Sequence, residues 1–296
     1  MARVRKNTAA PVGSFLKWAG GKSQLLSQFR PCLPASLAGR GYVEPFMGSA
    51  AVFFEVVQTL APARATLLDA NPELVNLFVQ VRDRVEELLP RLEAHRARHN
   101  QPGQREEERK RYYYAVRSAR PAPDSLEAAA RFLYLNKTCF NGLHRLNSRG
   151  EFNVPIGSYP EPRIFDADGL RAASQLLAGV RIEAAPFQSL EAYVQDGDFV
   201  YVDPPYAPLS HTASFTAYAK DGFTDEDQRA LAELLARVSP RCQWMASNST
   251  APLVEALYDR PGWFKHPVSA SRAINSKGSG RGKIPELLVT NYPVEP

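Results

Sequence analysis

A short stretch of the sequence carries groups that together can hold and activate a planar amine. An apolar run, residues 198–203, ends in Asp203 and continues as Pro204-Pro205-Tyr206. Two adjacent prolines remove two backbone donors and stiffen the chain, so a carboxylate, a carbonyl and an aromatic face are presented together. Asp203 and the Pro204 carbonyl can each accept one N–H of an exocyclic amino group while Tyr206 stacks on the ring. A proline-rich turn with a capping aspartate is the alternative for so short a motif.

The segment at 42–50, YVEPFMGSA, suits a ligand with a positive charge. Gly48 and the small residues after it would let a ligand approach the backbone closely. Glu44, at the end of a predicted strand, would repel a phosphate and attract a cation, such as the sulfonium and ammonium groups of S-adenosylmethionine (AdoMet). About 20 residues further on, Asp69 ends the next predicted strand, at the position that binds ribose hydroxyls in dinucleotide-type folds. Capping of the next helix is an equally good interpretation of Asp69 alone.

Residues 15–23, FLKWAGGKS, end like a phosphate-binding loop but do not satisfy its pattern. That pattern requires a glycine at position 16, which is a leucine, so we reject a nucleoside-triphosphate site. Trp18 and Lys22 flank two glycines and can wrap a small ligand, with Lys22 as the cation for a carboxylate. A helix N-terminus with a stacked tryptophan is the simpler alternative.

These clusters follow apolar runs that predict the strands of an α/β fold. Strand-like runs lie at 41–44, 65–69, 180–184, 198–203 and 242–247, and helical patterns lie at 49–59, 73–92, 190–194 and 224–238. Alternating strands and helices imply a mostly parallel sheet that is covered on both faces. Open α/β sheets bind ligands at the carboxyl ends of their strands, where the three clusters would meet. From about residue 75 to 162 the pattern is mostly helical and predicts an insertion between the second and third strands.

The composition is that of an ordinary globular protein. The chain has 296 residues, 44% of them apolar and 23% charged. This composition excludes a disordered or collagen-like chain, and no apolar run approaches the roughly 20 residues of a membrane span. Three widely spaced cysteines predict neither a disulfide framework nor a cysteine zinc site. His95 and His99 lack the glutamate of a zincin motif and are expected to face solvent. We expect a cytoplasmic protein with no secretory signal and no metal.

Two basic regions indicate where a polyanion would bind to this chain of net charge +5. Residues 264–283 are rich in serine and glycine and contain no acid, but five basic residues, Lys265, Arg272, Lys277, Arg281 and Lys283. We expect this stretch to be a mobile loop that gains order on a phosphate backbone. Residues 131–163 have five basic residues against two acids, interleaved with aromatic and amide side chains, a mixture typical of nucleic-acid binding. Solvated charged faces are the alternative.

Five motifs together resemble the Dam-type (class α) DNA adenine-N6 methyltransferases. They are, in this order, FLKWAGGK, VEPFMGSAAVF, the Asp-Ala-Asn-Pro after the second predicted strand, YLNKTCFNGLHRLNSRGEFNVPIG and DPPYAPLSHTASFTAY. The resemblance extends from about Phe15 to Tyr292. In class α, the AdoMet motif precedes a target-recognition domain, which precedes DPPY. The resemblance therefore implies a Rossmann-like AdoMet-dependent methyltransferase domain at 1–74 and 163–296, with a helical target-recognition domain inserted at 75–162.

The resemblance also implies which residues form the site. Those expected to bind AdoMet, whose product is S-adenosyl-L-homocysteine, are Trp18, Lys22, Glu44, Pro45, Phe46, Gly48, Asp69 and Asp203. The expected catalytic residues, which would hold the target adenine, are Asp203, Pro204, Pro205 and Tyr206.

The resemblance further implies contacts to double-stranded DNA. Its recognition candidates are Lys17, Phe140, Asn141, Leu143, Arg145, Pro155 and Tyr159, to which we add Lys137, Arg149, Arg281 and Lys283 as phosphate contacts. Arg145 is the main candidate for guanine recognition, because a guanidinium matches O6 and N7 of that base. Phe140 stands where family members often have tyrosine, so stacking is kept but a hydroxyl contact is lost. Core packing is the alternative role for Phe140 and Leu143.

The resulting hypothesis is methyl transfer from AdoMet to N6 of a flipped-out adenine in duplex DNA, within GATC, by a monomeric, nucleoid-associated enzyme. No metal and no covalent enzyme intermediate are expected. The alternatives are a restriction-modification methyltransferase with another target site, an enzyme that methylates RNA adenine or a protein amide, and a DNA-binding regulator without catalysis. The last predicts damage in DPPY or in the AdoMet turn, and neither motif is damaged. The sequence favours neither a solitary methylase nor the protective half of a restriction system.

Overall fold

The chain folds around one mixed sheet of seven strands. The computed structural model describes residues 11–208, 222–271 and 283–294. The strands are β1 (Gly41–Glu44), β2 (Arg64–Asp69), β3 (Arg181–Ala184), β4 (Phe199–Val202), β5 (Gln243–Ser249), β6 (Phe264–Ser271) and β7 (Lys283–Thr290), in the spatial order β3-β2-β1-β4-β5-β7-β6. The strand order reverses direction between β1 and β4, which is where open α/β sheets form a ligand crevice.

The helices of the described residues cover this sheet. The α-helices are α1 (Leu26–Phe29), α2 (Ala51–Thr59), α3 (Pro72–His99), α4 (Glu106–Ser118), α5 (Leu126–Thr138), α6 (Ala167–Leu177), α7 (Asp225–Val238) and α8 (Pro252–Leu257), and 3-10 turns lie at Lys22–Gln24, Arg30–Cys32, Phe140–Gly142 and Phe187–Ala192. The helix predicted at 190–194 overlaps the last of these 3-10 turns only as far as Ala192. None of the helices in the described part of the chain has the length and apolar character needed to span a bilayer.

Strands β1 to β5 are parallel, as the alternating pattern predicts. β1 lies between β2 and β4, so that Val43 is paired with both Thr66 and Val200. Both β1 and β4 are buried along their whole length, because a parallel sheet is covered on both faces. Phe199 and Tyr201 of β4 belong to one hydrophobic core, while Val200 and Val202 belong to a second core on the other face. The five predicted strands are confirmed to within two residues at each end.

The prediction of a mobile loop at 264–283 is wrong for the part that the structure describes. Phe264–Ser271 is strand β6, which pairs antiparallel with β7, and β7 pairs antiparallel with β5. Val268 and Ala270 are buried, whereas Ser269 between them is exposed, so the segment has the alternation of a half-buried strand. Lys265 forms an ion pair with Asp259 at 3.2 Å. Arg272, Lys277 and Arg281 lie outside the described residues.

The region between β2 and β3 is helical, as predicted. Helix α3 begins at an Asn71 cap, whose side chain accepts hydrogen bonds from two backbone N–H groups of the first turn. Its apolar face, including Leu74, Phe78 and Leu92, packs into the same core as β1 and β2. A smaller core forms beyond it from Tyr113, Tyr134, Cys139, Phe152, Ile164 and their neighbours. The extent of a separate recognition domain at 75–162 stays a prediction.

His95 and His99 do not face solvent, contrary to the prediction. His99 is 1% exposed, and His95 is half-buried. The Nδ1 atom of His95 lies 2.7 Å from the hydroxyl of Tyr112, and that of His99 lies 2.8 Å from the hydroxyl of Tyr134. Each tyrosine satisfies the Nδ1 atom of one ring, which favours burial of that ring. Burial lowers the pKa of each imidazole to about 4.

Candidate active site

The three sequence clusters meet at one cavity beside the carboxyl ends of β1, β2 and β4. Its volume is about 810 Å³, within the range of small-molecule sites. Every residue predicted to bind AdoMet or to hold the target amine lines it, namely Trp18, Lys22, Glu44, Pro45, Phe46, Gly48, Asp69, Asp203, Pro204, Pro205 and Tyr206. The structure therefore brings together residues that are far apart in the sequence.

The turn after β1 is built around Gly48. The backbone φ of Gly48 is +45°, and a Cβ atom at this position would lie 2.9 Å from Nε1 of Trp18. The N–H of Gly48 donates a 3.0 Å hydrogen bond to Oδ2 of Asp69, and Oδ1 of Asp69 accepts from the N–H of Asn71. Only glycine fits this close approach, which packs the Trp18 loop against the turn and keeps the backbone open to a ligand.

The carboxyl groups of Glu44, Asp69 and Asp203 belong to the acidic residues that line this one cavity. Burial is the main cause that raises the pKa of each. Hydrogen bonds oppose the shift: the Tyr42 hydroxyl donates to Glu44 at 2.7 Å, and backbone N–H groups donate to Asp69. Buried carboxylates are stabilised by a cation. A cavity with three of them fits a ligand that carries sulfonium and ammonium groups, as AdoMet does.

Lys22 pairs with Asp203. Its side chain is 5% exposed, and Nζ lies 2.7 Å from Oδ1 of Asp203 and 2.5 Å from the carbonyl oxygen of Gly20. The same Nζ lies 4.7 Å from the centre of the Tyr206 ring. Lys22 was predicted to face the carboxylate of a ligand, and here its charge is directed at a carboxylate of the protein. This ion pair opposes the effect of burial on the pKa of Asp203.

The loop after β4, residues 203–207, is called the DPPY loop below. Oδ1 of Asp203 accepts hydrogen bonds from both Lys22 and the Ser247 hydroxyl, the latter at 2.8 Å. The Pro205 carbonyl accepts from Gln228 at 2.9 Å. Within the described residues, no donor is bonded to Oδ2 of Asp203 or to the Pro204 carbonyl. The hydroxyl of Tyr206 donates to Glu286 on β7 at 2.8 Å.

Several cavity residues were missed by sequence reasoning. Phe187 and Gln188 follow β3, and Phe223 and Asp227 lie at the start of α7. The Phe187 ring stacks on Phe46 at 5.5 Å with an interplanar angle of 26°, and it also contacts Phe223. Since β3 had been predicted, the aromatic residue just after its carboxyl end was the available signal. The segment that contains the predicted recognition residues also reaches the cavity. His144 lines the cavity, and its ring stacks on Trp18 with 6.0 Å between the ring centres.

Eight of the predicted DNA-contacting residues are exposed or half-buried, and together we call them the recognition surface. They are Lys17, Lys137, Phe140, Asn141, Arg145, Arg149, Pro155 and Tyr159. Nζ of Lys17 lies 4.1 Å from the centre of the Tyr159 ring. The backbone N–H of Lys17 donates to the side chain of Asn136, which in turn donates to the Lys17 carbonyl. Burial lowers the pKa of Lys137 to about 8, with smaller contributions from the positive charges of Lys17 and Arg163.

The turn after α5 presents the remaining recognition candidates. Phe140 is 50% exposed, and its N–H donates to the Pro155 carbonyl at 2.9 Å. Asn141 has a φ of +54°. Nε of Arg145 donates to Asn153 at 2.6 Å, which orients the guanidinium, and Arg149 is 79% exposed.

Two groups of DNA candidates are not placed on this surface. Leu143 lines the cavity and packs against the smaller core. Lys283 begins β7, and Arg281 lies outside the described residues. Their contacts to DNA stay predictions.

Strand order, the crevice between β1 and β4 and the acidic cavity are those of a Rossmann-like AdoMet-dependent methyltransferase. Comparison with known proteins narrows the class. The family described as D12 class N6 adenine-specific DNA methyltransferase matches residues 18–274, and the chain belongs to this family. It is an adenine-specific DNA methyltransferase that depends on AdoMet.

Three similar proteins match over nearly their whole length. The chain is 40% identical to the type II methyltransferase M.MjaIII of Methanocaldococcus jannaschii over 95% of this chain and 99% of that protein. It is 39% identical to the type II methyltransferase M1.LlaDCHI of Lactococcus lactis subsp. cremoris over 94% and 95% of the two chains. It is 36% identical to the DNA adenine methylase of Escherichia coli (strain K12) over 98% and 97%.

Proposed function

We propose that this protein methylates N6 of a flipped-out adenine in duplex DNA, within the sequence GATC. The observation that carries the proposal is the pair of acceptors on the DPPY loop. Asp203 and Pro204 line the cavity, and Oδ2 of the first and the carbonyl of the second are bonded to no donor among the described residues, whereas Oδ1 of Asp203 and the Pro205 carbonyl already accept hydrogen bonds. An exocyclic amine has two N–H groups, one for each of these acceptors.

The residues around these acceptors determine how the amine would react. Asp203 and Pro204 draw on both N–H groups, so the nitrogen lone pair is turned out of conjugation with the ring and toward the cavity. Tyr206 offers its face to the adenine ring, and its hydroxyl is fixed by Glu286. When bound, AdoMet supplies a methyl group to N6 as its carbon–sulfur bond breaks, leaving S-adenosyl-L-homocysteine, and the surplus proton on N6 passes to solvent. Holding the amine in this geometry lowers the entropic part of the barrier.

The cavity residues proposed to hold AdoMet fall into three groups. Asp69 would accept from the ribose hydroxyls. Glu44 and its neighbours in the turn would hold the charged methionine part. Burial destabilises the charged form of the Glu44 carboxyl, and a nearby cation would stabilise it. Trp18 closes the turn by packing against Gly48.

Base flipping and sequence recognition are assigned to the recognition surface. Phe140 and Asn141 are exposed or half-exposed at the tip of the turn after α5, where they can fill the gap left by the flipped adenine. Arg145 has a bidentate fork for a guanine, oriented by Asn153. GATC is favoured by the retained NGL-x-R and EFNVP residues. We further propose that residues 75–162 act as the target-recognition domain and that the enzyme acts as a monomer.

Incubation of the purified protein with labelled AdoMet and plasmid DNA tests the proposal, with modified bases mapped by single-molecule sequencing. We expect N6-methyladenine confined to GATC. Methylation of adenine in another sequence, as in a restriction-modification enzyme with a different site, would leave the chemistry intact and refute the assigned recognition residues. A protein that binds AdoMet and methylates RNA or a protein amide but no DNA would refute the assigned substrate.

A further inference from the structure

The carboxyl end of β5 holds the DPPY loop through three consecutive polar residues. Ser247, Asn248 and Ser249 are 0%, 2% and 6% exposed, which is unusual for such side chains unless they are fully paired. The Ser247 hydroxyl donates to Oδ1 of Asp203 at 2.8 Å, and the Ser249 hydroxyl donates to the Ala207 carbonyl at 2.7 Å. The end of β5 is thus built around the loop.

The middle residue of the three acts through a second amide. Nδ2 of Asn248 donates to Oε1 of Gln228 at 2.9 Å, and Nε2 of Gln228 donates to the Pro205 carbonyl at 2.9 Å. Gln228 is 1% exposed and comes from α7. The contacts therefore fall on positions 203, 205 and 207, and the Pro204 carbonyl between them has no donor among the described residues.

The direction of the hydrogen bonds at Ser247 follows from its single proton. Because Asp203 as a carboxylate can only accept hydrogen bonds, the Ser247 hydroxyl uses its single proton to donate to Oδ1. The Tyr201 hydroxyl, 3.0 Å from Oγ of Ser247, must then donate to it. This chain of Tyr201, Ser247 and Asp203 is buried and has one consistent orientation. Oδ1 receives two donors, Ser247 and Lys22, and has no capacity left for a substrate amine in the same plane.

We propose that Ser247 is a positioning residue for methyl transfer, which fixes the Asp203 carboxylate so that Oδ2 is the oxygen presented to the target amine. The inference rests on the proposed function, because it assigns Asp203 to that amine. Without the Ser247 hydroxyl, the carboxylate could rotate about χ2 and Oδ1 would keep only Lys22. The amine would then meet an acceptor whose orientation is no longer set.

The surroundings of Asp203 add a pH dependence to this role. The groups that face it are Lys22 before α1, Glu44 and Tyr42 of β1, Tyr201 of β4, Tyr206 of the loop and, behind Tyr206, Glu286 of β7. Burial raises the pKa of Asp203, and only Lys22 and Ser247 oppose the rise. Removal of the Ser247 hydroxyl thus favours the protonated acid, in which one oxygen carries a proton and accepts poorly.

A comparison of Ser247→Ala with Ser249→Ala tests the proposal. Both variants remove one buried hydroxyl from the end of β5, but only the first hydroxyl contacts Asp203. For Ser247→Ala we expect the acidic limb of kcat against pH to move up by about one pH unit, because a charged hydrogen bond is lost, with kcat recovering in part at high pH. For Ser249→Ala we expect the limb to stay in place and KM for AdoMet to be little changed.

Carbon-13 NMR titration of the Asp203 carboxyl, assigned with Asp203→Asn, measures the same shift without any turnover. An upward shift in Ser247→Ala, and a smaller one in Tyr201→Phe, would support the proposal even if the DNA substrate assignment failed. Equal, pH-independent losses of kcat in the two serine variants, with no change in the Asp203 titration, would overturn it while DNA methylation by the wild type stands. If Ser247→Ala does not fold, Ser247→Cys and Tyr201→Phe give the same two outcomes.

Discussion

The cavity and the recognition surface place their polar side chains under opposite constraints. The cavity draws its groups from residues 18–22 and from loops after β1, β2, β3 and β4, and its Lys22 and Glu44 are almost fully buried. The recognition surface comes mainly from one stretch of chain after α5, where Phe140 and Arg149 are exposed. Chemistry needs acceptors held in one geometry, which packing from several elements provides. Recognition needs side chains that a large partner can reach.

The largest effect is expected from Asp203→Asn. The amide replaces Oδ2 or Oδ1 with a donor and removes the charge that pairs with Lys22, so the target amine loses a properly placed acceptor. We expect kcat to fall by about a thousandfold or more, with AdoMet and DNA saturating. Quantified label transfer to plasmid DNA measures this, with circular dichroism as the folding control. Turnover near that of the wild type would remove Asp203 from the catalytic role.

The next effect concerns the turn after β1, which is proposed to hold the cofactor. In Gly48→Ala the new Cβ would lie 2.9 Å from Nε1 of Trp18 and the backbone would have to keep a φ of +45°. We expect AdoMet affinity to fall by about 10- to 100-fold, measured by calorimetry, because one to three kcal/mol of strain is typical of such positions.

Gly39→Ala is the matched control for that change. Gly39 has a φ of +76°, but a Cβ there meets no heavy atom within 4 Å. It should lower thermal stability and leave AdoMet affinity unchanged. Equal losses of affinity in the two variants would show that the effect is general strain rather than a fitted turn.

Arg145→Ala should separate recognition from chemistry. Loss of a bidentate guanine contact costs about 1–3 kcal/mol of discrimination, so we expect kcat/KM on GATC to fall about 10- to 100-fold and selectivity to relax at one base pair. Arg149→Ala is the control, since its side chain is 79% exposed and, among the described residues, forms an ion pair only with Glu151 at 3.3 Å. It should weaken binding for all sequences alike and reduce the salt dependence. A uniform loss in Arg145→Ala would contradict its assigned role.

The smallest effect is a pH dependence of DNA binding. Lys137 has a pKa lowered to about 8, chiefly by burial, so it is charged below that pH and loses its charge as the pH rises through it. DNA affinity should therefore decline by a few-fold between pH 7 and pH 9, as one phosphate contact is lost. Lys137→Arg stays protonated and should flatten the profile, as read by fluorescence anisotropy. An unchanged slope in that variant would assign the titration to another group.

The parallel half of the sheet was predictable because each strand is a short apolar run next to a helical pattern. Strand β7 has a buried apolar run, Leu287, Leu288 and Val289, that was available in the sequence, whereas the edge strand β6 was missed for a physical reason. In β6 the apolar residues Val268 and Ala270 alternate with polar ones and are preceded by His266 and Pro267, and the pairing with β7 joins segments on either side of a basic stretch. Antiparallel strands at a sheet edge carry a weaker hydrophobic pattern than buried parallel strands.

The site divides in the same way. The three clusters were predicted to meet because the carboxyl ends of parallel strands lie at one edge, and they do meet. The residues that form hydrogen bonds to Asp203 and Tyr206 within these clusters were not predicted. Ser247 lies 44 positions from Asp203 and Glu286 lies 80 from Tyr206, so these contacts depend on the packing of β5 and β7 rather than on any local motif. The burial of His95 and His99 was missed because their tyrosine partners come from other helices.

The contact between Asn136 and Lys17 bears on how the target preference of such an enzyme could be redesigned. The Asn136 amide accepts from the N–H of residue 17 at 3.0 Å and donates to its carbonyl at 2.6 Å, as a neighbouring strand would. The main chain of residue 17 is therefore held by Asn136, while the Lys17 side chain makes separate contacts to the Lys137 carbonyl, at 3.4 Å, and to the Tyr159 ring. Any residue except proline, which lacks the N–H, can occupy the position without losing these two bonds. Position 17 is thus suited to saturation mutagenesis, in which the side chain is varied while the main-chain contacts to Asn136 are kept.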